Sequence, residues 1–355
     1  MNNTFEELQS VLAAFGISVK NSADVYPFGN GHINDTYFVN TNPPYVLQRL
    51  NTNVFTDPVG VMENIQAVNG HLAGQKSDMQ FVNFLPADDG NLYVNGPRGF
   101  FRVMDFIDGV SYDEKPTCEI LEKAAFAFGA FQKSLAAFPA ARLHETIKQF
   151  HDTVKRVNDL HAAIAADKAG RRSAVSDVVD GYAALEKYAS VIVDGLKDGS
   201  VPMRVTHNDT KLNNLLFDKK SGEPLAVIDL DTIMPGSLLY DFGDALRFGG
   251  SSAAEDEKDL SAVYFCADRF EAFARGFIRA LGADMTVREK ELLPLSVLLM
   301  TFECGTRFLA DYLNGDTYFR IAYPTHNLDR ARNQLKLAQD IEAQLPALSA
   351  IVAKL

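Results

Sequence analysis

The feature that most constrains the fold is a change of period partway along the chain. Up to about residue 107, apolar residues come in short runs broken by turn clusters. TYFVN (36–40) and YVLQRLN (45–51) flank TNPP, and FVNFL, NLYV and FFRVMDFI are separated by PADDG and NGPRG. Such runs read as strands, and the prolines fall where no ladder donor is needed. One helix interrupts them over 57–75: Val61, Ile65, Val68 and Leu72 recur at helical spacing, behind an N-cap at Asp57 and a first-turn Pro58. A second amphipathic face, Phe5, Leu8, Leu12 and Phe15, marks a helix rather than a signal peptide at the N-terminus. After DGVSYDEKP, near residues 108 to 116, long amphipathic patterns take over at 117–138, 144–168, 174–196, 255–281, 286–313 and from about 325. TVRE, with Thr286 and Glu289, is a capping-box signature at the start of one of them. The strand-like interruption in this half is 203–231, with a hairpin turned by KKSGE. These patterns predict an α+β protein with a small β-rich N-lobe, residues 1–107, and a large helical C-lobe, residues 108–355.

The chemistry concentrates in that interruption. MRVTHNDTKLNNLLF (203–217) places His207, Asp209, Lys211, Asn213 and Asn214 between two apolar runs, the pattern of a reactive loop on a rigid scaffold. Asn214 follows Asp209 by five positions, and Asp229 closes the apolar run LAVI. Mg²⁺ takes few hard oxygen ligands, and Asn214 offers an amide oxygen where Asp229 offers a carboxylate. The spacing H-x-D-x-x-x-x-N, then a hairpin and an apolar-run Asp, resembles the catalytic and metal-binding segments of protein-kinase-like phosphotransferases. That resemblance implies Asp209 as the base for an acceptor hydroxyl and Lys211 within reach of a transferred phosphoryl group. The bland alternative makes Asp209 a helix cap and the asparagines turn residues. An EF-hand reading of DLDTIMPGSLLY fails, since its sixth position is Met234 and its twelfth Tyr240.

The first lobe supplies possible partners. Gly29 and Gly31 in PFGNGHINDTYFV form a turn before a strand, suited to covering phosphates with backbone N–H groups. Arg49, in the next strand, stands where a phosphate-binding lysine is usual in kinases, with Glu63 on the following helix as its ion-pair partner. The connector VMDFIDG exposes backbone from Asp105 to Ile107 for the edge of adenine.

Taken together, YPFGNGHINDTY, YVLQRLNTNVF, THNDTKLNNLL, VIDLDTIMPGSLLYDFGDALRFGG, ECGTRFLADYLNGDTYF and YPTHNL resemble the aminoglycoside-phosphotransferase/choline-kinase branch of the protein-kinase-like superfamily, most closely its hexosamine-kinase members. The resemblance implies a protein-kinase-like two-lobed fold, ATP and Mg²⁺, and phosphorylation of the anomeric hydroxyl of GlcNAc or GalNAc. It carries over Asp209 as base, Asn214 and Asp229 as metal ligands, and places His32, Arg307 and Tyr318 along the sugar pocket. Arg49 and Glu63 are not characteristic of those hexosamine-kinase members. Another sugar, choline, homoserine or an aminoglycoside stays open as acceptor. A catalytically dead binding module is disfavoured, because Asp209, Asn214 and Asp229 are all present.

Composition narrows the partners. A net charge of −12 disfavours binding to a phosphate backbone through a basic surface. Cys118, Cys266 and Cys304 are too few and too scattered for a disulfide framework or a CxxC zinc site. No apolar run approaches the ~18 residues that span a bilayer. The expectation is a cytoplasmic enzyme acting on a small molecule, with no nucleic-acid or membrane partner.

Overall fold

The structure is a computed structural model and describes residues 4–29, 33–75, 79–96, 99–112 and 116–355. In chain order the elements are α1 (Phe5–Ala13), β1 (Val25–Pro27), β2 (Asp35–Val39), β3 (Tyr45–Leu50), α2 (Pro58–Leu72), β4 (Val94–Gly96) and β5 (Gly99–Asp105). There follow α3 (Cys118–Ser134), α4 (Thr153–Ala166), α5 (Ser176–Leu185), α6 (Val191–Asp198), β6 (Arg204–Thr206), β7 (Leu215–Phe217), β8 (Pro224–Val227), β9 (Met234–Gly236), α7 (Leu238–Gly249), α8 (Ala267–Leu281), α9 (Val287–Asn314) and α10 (His326–Lys354). The chain folds as two compact units. The first holds residues 1–110, 141–148 and 216–234, and the second the remainder.

In the first unit a five-stranded antiparallel sheet has the order β1-β2-β3-β5-β4. Successive side chains of a strand point to opposite faces, and that alternation divides the sheet's work. One face carries Leu47, Phe101 and Val103 into a core with Leu8, Val11 and Leu12 of α1. The other face turns Gln48 and Arg102 toward Met62 of α2. The Asp57 carboxylate caps α2, accepting 3.0 Å from the Gly60 N–H, with Pro58 in the first turn as expected. The TNPP hairpin and the hairpin turned at KKSGE both form, as β2–β3 and β7–β8. FVNFL forms no strand. Phe84 makes only an isolated bridge to Met104, and the fifth strand is instead β1, just before the glycine turn.

In the second unit α3 packs on α8, and α9 packs on α4, α7 and α10. Here too the sequence patterns run longer than the helices: 144–152 stays outside α4, 174–196 divides into α5 and α6, and α8 begins only at Ala267. The Thr286 and Glu289 box caps α9, with the Glu289 N–H 3.1 Å from Thr286 Oγ1 and the Thr286 N–H 2.8 Å from Glu289 Oε2. By length and composition α9 is apolar enough to cross a membrane, yet 89% of its apolar window is buried inside the protein, which makes it the central core helix.

Candidate active site

In the second unit, strand β6 delivers the chain into a loop fixed from behind. Asp241, buried on α7, accepts from the backbone N–H groups of His207 (3.0 Å) and Asn208 (2.7 Å), and from the Gln132 amide. The Thr210 hydroxyl donates 2.5 Å to the Asp241 carbonyl. Burial pushes the Asp241 carboxyl up, against the opposing pull of His207 and these donors. Asn208 takes the left-handed φ of +64° that turns the loop outward, a conformation that Asn adopts more readily than most residues. His207 is fully buried, and its Nδ1 accepts from the Asp209 N–H at 3.3 Å. His151 holds the loop from another side, with Nε2 3.2 Å from the Asn208 carbonyl and Nδ1 2.8 Å from Glu303 on α9. Burial raises the Glu303 carboxyl, but His151, Thr153 and Arg156 outweigh it and hold it below the usual range.

What this scaffold presents is Asp209. Its Oδ1 lies 2.9 Å from Lys211 Nζ, and its Oδ2 accepts 3.0 Å from Asn214 Nδ2, which also donates 2.8 Å to the Asp209 carbonyl. Burial pushes the Asp209 carboxyl up; Lys211, His207 and Asn214 more than cancel it, so the group is held below its ordinary value. The same pair holds the Lys211 ammonium above its usual range against burial. Because Asn214 uses its Nδ2 on Asp209, its Oδ1 is left as an acceptor, and it accepts no hydrogen bond among the described residues.

Arg307 lies beyond the loop in an aromatic cage, 5.5 Å from the Phe150 ring centroid, 5.7 Å from Tyr318 and 5.3 Å from Phe319. Its Nη2 sits 3.5 Å from the Tyr318 hydroxyl, and no carboxylate pairs with it among the described residues. Burial, followed by the charge of Arg307, lowers the Arg156 guanidinium. The Phe150 ring packs tilted against His151, with centroids 4.4 Å apart, which connects the cage to the loop that bears Asp209.

In the first unit Asp229 is exposed and stands at φ +59°, ψ +63°. Two residues later Asp231 is buried, 2.6 Å from the Arg102 guanidinium. Gly29 has a left-handed φ of +78°, whereas Gly31 and His32 lie outside the described residues. In the connector, the Asp105 N–H is already donated to the Asn83 carbonyl at 3.0 Å and so is not open to adenine. The Ile107 N–H makes no hydrogen bond among the described residues.

The expected Arg49–Glu63 pair is not made. Arg49 lies directly across from Asp35 and pairs with it on the α1 face, while Glu63 pairs with His144 at 2.7 Å. The physical reason is parity, since one residue along a strand reverses the face, and the residue on the α2 face is Gln48. The cation on that face is Arg102 from β5, which the sequence reading passed over. Its signal was there: a lone cation inside the apolar run FFRVM must be buried with a partner or turned outward.

Each unit on its own offers an oxygen donor of the kind magnesium accepts. Mg²⁺ keeps several waters and takes one or two protein oxygens. Among the described residues no cluster of three or more His, Cys, Asp or Glu exists to build a full cage. One amide oxygen on Asn214 and one carboxylate on Asp229 are the kind of ligands it needs.

An antiparallel sheet unit and a mainly helical unit whose braced loop presents a carboxylate are the components of the protein-kinase-like fold. The sequence profile of the phosphotransferase enzyme family matches residues 24–291, and the chain belongs to that family. Its fold is similar to an aminoglycoside phosphotransferase from Alicyclobacillus acidocaldarius, with TM-score 0.61 and 15% identity over 98% of this chain and 96% of the other. It is similar to an amicoumacin kinase solved with AMP-PNP, Ca²⁺ and amicoumacin, with TM-score 0.58 and 13% identity over 91% and 89% of the two chains. A choline kinase from Cryptosporidium parvum gives TM-score 0.57 and 14% identity over 92% of both.

Proposed function

We propose that the protein is an ATP-dependent N-acetylhexosamine 1-kinase, transferring a phosphoryl group to the anomeric hydroxyl of GlcNAc or GalNAc. The observation that carries the reading is Asp209, held between Lys211 and Asn214 at the tip of a loop braced by Asp241 and His151. Phosphoryl transfer is mainly positioning and charge stabilisation, so a fixed carboxylate of low basicity is adequate. An anomeric hydroxyl is more acidic than an ordinary alcohol, which lowers the demand on the base further. Asp209 orients that hydroxyl and takes its proton as the P–O bond forms, and Lys211 neutralises charge on the migrating phosphoryl group. Mg²⁺, when bound with the nucleotide, neutralises phosphate oxygen charge, and Asn214 and Asp229 are the residues that would hold it. Ile107 offers a backbone N–H to adenine, and Gly29 a backbone turn to the phosphates.

Arg307 supports a sugar over a cationic acceptor. A guanidinium with no carboxylate partner, beside the second cation Arg156, repels an amine or quaternary ammonium and suits neutral hydroxyl and amide oxygens. The test is ADP release from Mg·ATP across GlcNAc, GalNAc, other hexoses, choline, homoserine and aminoglycosides. GlcNAc or GalNAc turnover far above the rest is the expected result. Silence on both, with a strong response to choline, would overturn the acceptor assignment and leave a kinase of another small molecule.

A further inference from the structure

Arg102 is one of the largest fully buried side chains of the protein, and it is charged. Its Nε and Nη2 donate to Gln48 Oε1 at 3.1 and 2.7 Å, and its Nη1 lies 2.6 Å from Asp231 Oδ1 and 3.7 Å from Met62 Sδ. Gln48 passes the contact on, donating 3.0 Å to the Thr36 hydroxyl. On the other side Asp231 Oδ2 accepts 2.7 Å from Asn34 Nδ2, and Asn34 Oδ1 accepts 3.0 Å from the Asn51 N–H. The Asp231 carbonyl accepts 3.2 Å from the Thr146 hydroxyl. One polar chain thus crosses β2, β3 and β5, reaches the segment after β8, and returns to Asn34 at the start of β2.

This chain is a poor device for stability alone. Each buried ion carries a desolvation penalty, and a packed apolar pair is often as stable or more so. The Arg102–Asp231 contact is also not well aligned, since Asp231 Oδ1 makes no directed hydrogen bond despite its short distance from Nη1. What the chain fixes is geometry. Asp231 lies two residues from Asp229, a non-glycine residue in the left-handed region, which persists only where its surroundings hold it. Asn34 ties the same carboxylate to the strand that follows the glycine turn. Arg102 itself is no phosphate ligand, because it is 2% exposed and every guanidinium nitrogen is engaged within the unit.

We infer that Arg102, Asp231 and Asn34 are positioning residues that set the Asp229 turn for a magnesium-bound nucleotide. The inference rests on the kinase reading above and deepens it. It is tested on the full chain by titrating ATP with Mg²⁺ and, separately, with excess EDTA. Asn34→Ala removes the tether without orphaning a charge, and the paired Arg102→Met, Asp231→Leu variant removes both ions together. The expected result is a loss of Mg·ATP affinity of roughly 10-fold or more, as for residues that orient metal ligands, with metal-free ATP binding changed less than about twofold. Equal losses with and without Mg²⁺, or unchanged Mg·ATP affinity, would overturn the inference. If the paired variant does not fold, Asn34→Ala decides by the same two titrations. A wild-type chain that shows no magnesium-dependent ATP binding would overturn the kinase reading and this inference together, whereas wild-type binding with unaltered variants would overturn the inference alone.

Discussion

Lys211 acts on Asp209 in two opposed ways. Its ammonium, 2.9 Å away, fixes the carboxylate and lowers its proton affinity, while in the proposed reaction the same ammonium stabilises the charge that Asp209 helps to generate. The sign of the pH effect follows from the depressed folded value. Ionised Asp209 is favoured in the folded chain, so the pair's contribution is present above the ordinary carboxylate value of ~3.9 and is lost only as pH falls through the lower folded value. The acid limb of kcat/KM should therefore lie below that ordinary value. Lys211→Met should move the limb upward while lowering turnover, measured as a pH–rate profile; an unmoved limb would show that Lys211 does not tune the base. Asp209→Asn should cost ~10²–10⁴-fold in kcat, the usual range for a positioned base, with Mg·ATP affinity retained in a direct titration. Turnover near that of wild type would remove Asp209 from the chemistry.

At the level of elements, parity within a strand decides which cation faces α2. Arg49 and Asp35 form a partly exposed cross-strand pair, with side chains 25% and 46% exposed, and such pairs contribute ~0–1 kcal/mol. Arg49→Met should thus leave the KM for ATP within about twofold and stability within ~1 kcal/mol. A large rise in KM would return Arg49 to the phosphate site. The same contrast explains what the sequence made legible. The loop from His207 to Asn214 could be read because its chemistry is local: the spacing alone puts Asp209 and Asn214 on one turn. Caps at Asp57 and Thr286 were equally readable, each being a three-residue motif. Strand phase was not, because YVLQRL is apolar on both faces and nothing in it says whether Gln48 or Arg49 points toward α2. His151 and Glu303 escaped for a different reason. His151 braces the loop from 57 positions away and is itself held by Glu303, 152 positions further along, and no local pattern marks such partners. FVNFL failed as a strand because apolar spacing reports burial, and a buried extended segment need not pair continuously.

Across the whole molecule, Asp229 belongs to the first unit and Asp209, Lys211 and Asn214 to the second. Each unit has its own core, so neither group of residues depends on ligand to be built. Ligand binding then acts by mass action on an already folded chain. Mg·ATP at a hundred times its Kd should add ~2.7 kcal/mol of stability, which for a chain of 355 residues is a rise of a few degrees in Tm. Part of that rise belongs to the nucleotide and part to the metal, and ATP with EDTA separates the two. Asp229→Ala removes an exposed carboxylate in a left-handed turn, and substitutions at exposed positions usually shift stability little. The variant should accordingly unfold near the wild-type Tm without ligand, keep the increment due to ATP alone, and lose the magnesium-dependent increment. Differential scanning calorimetry under the three conditions reads all of this directly. A magnesium-dependent rise in Asp229→Ala equal to that of the wild type would mean that the metal is held by other groups, and the assignment of Asp229 as its carboxylate ligand would have to be withdrawn.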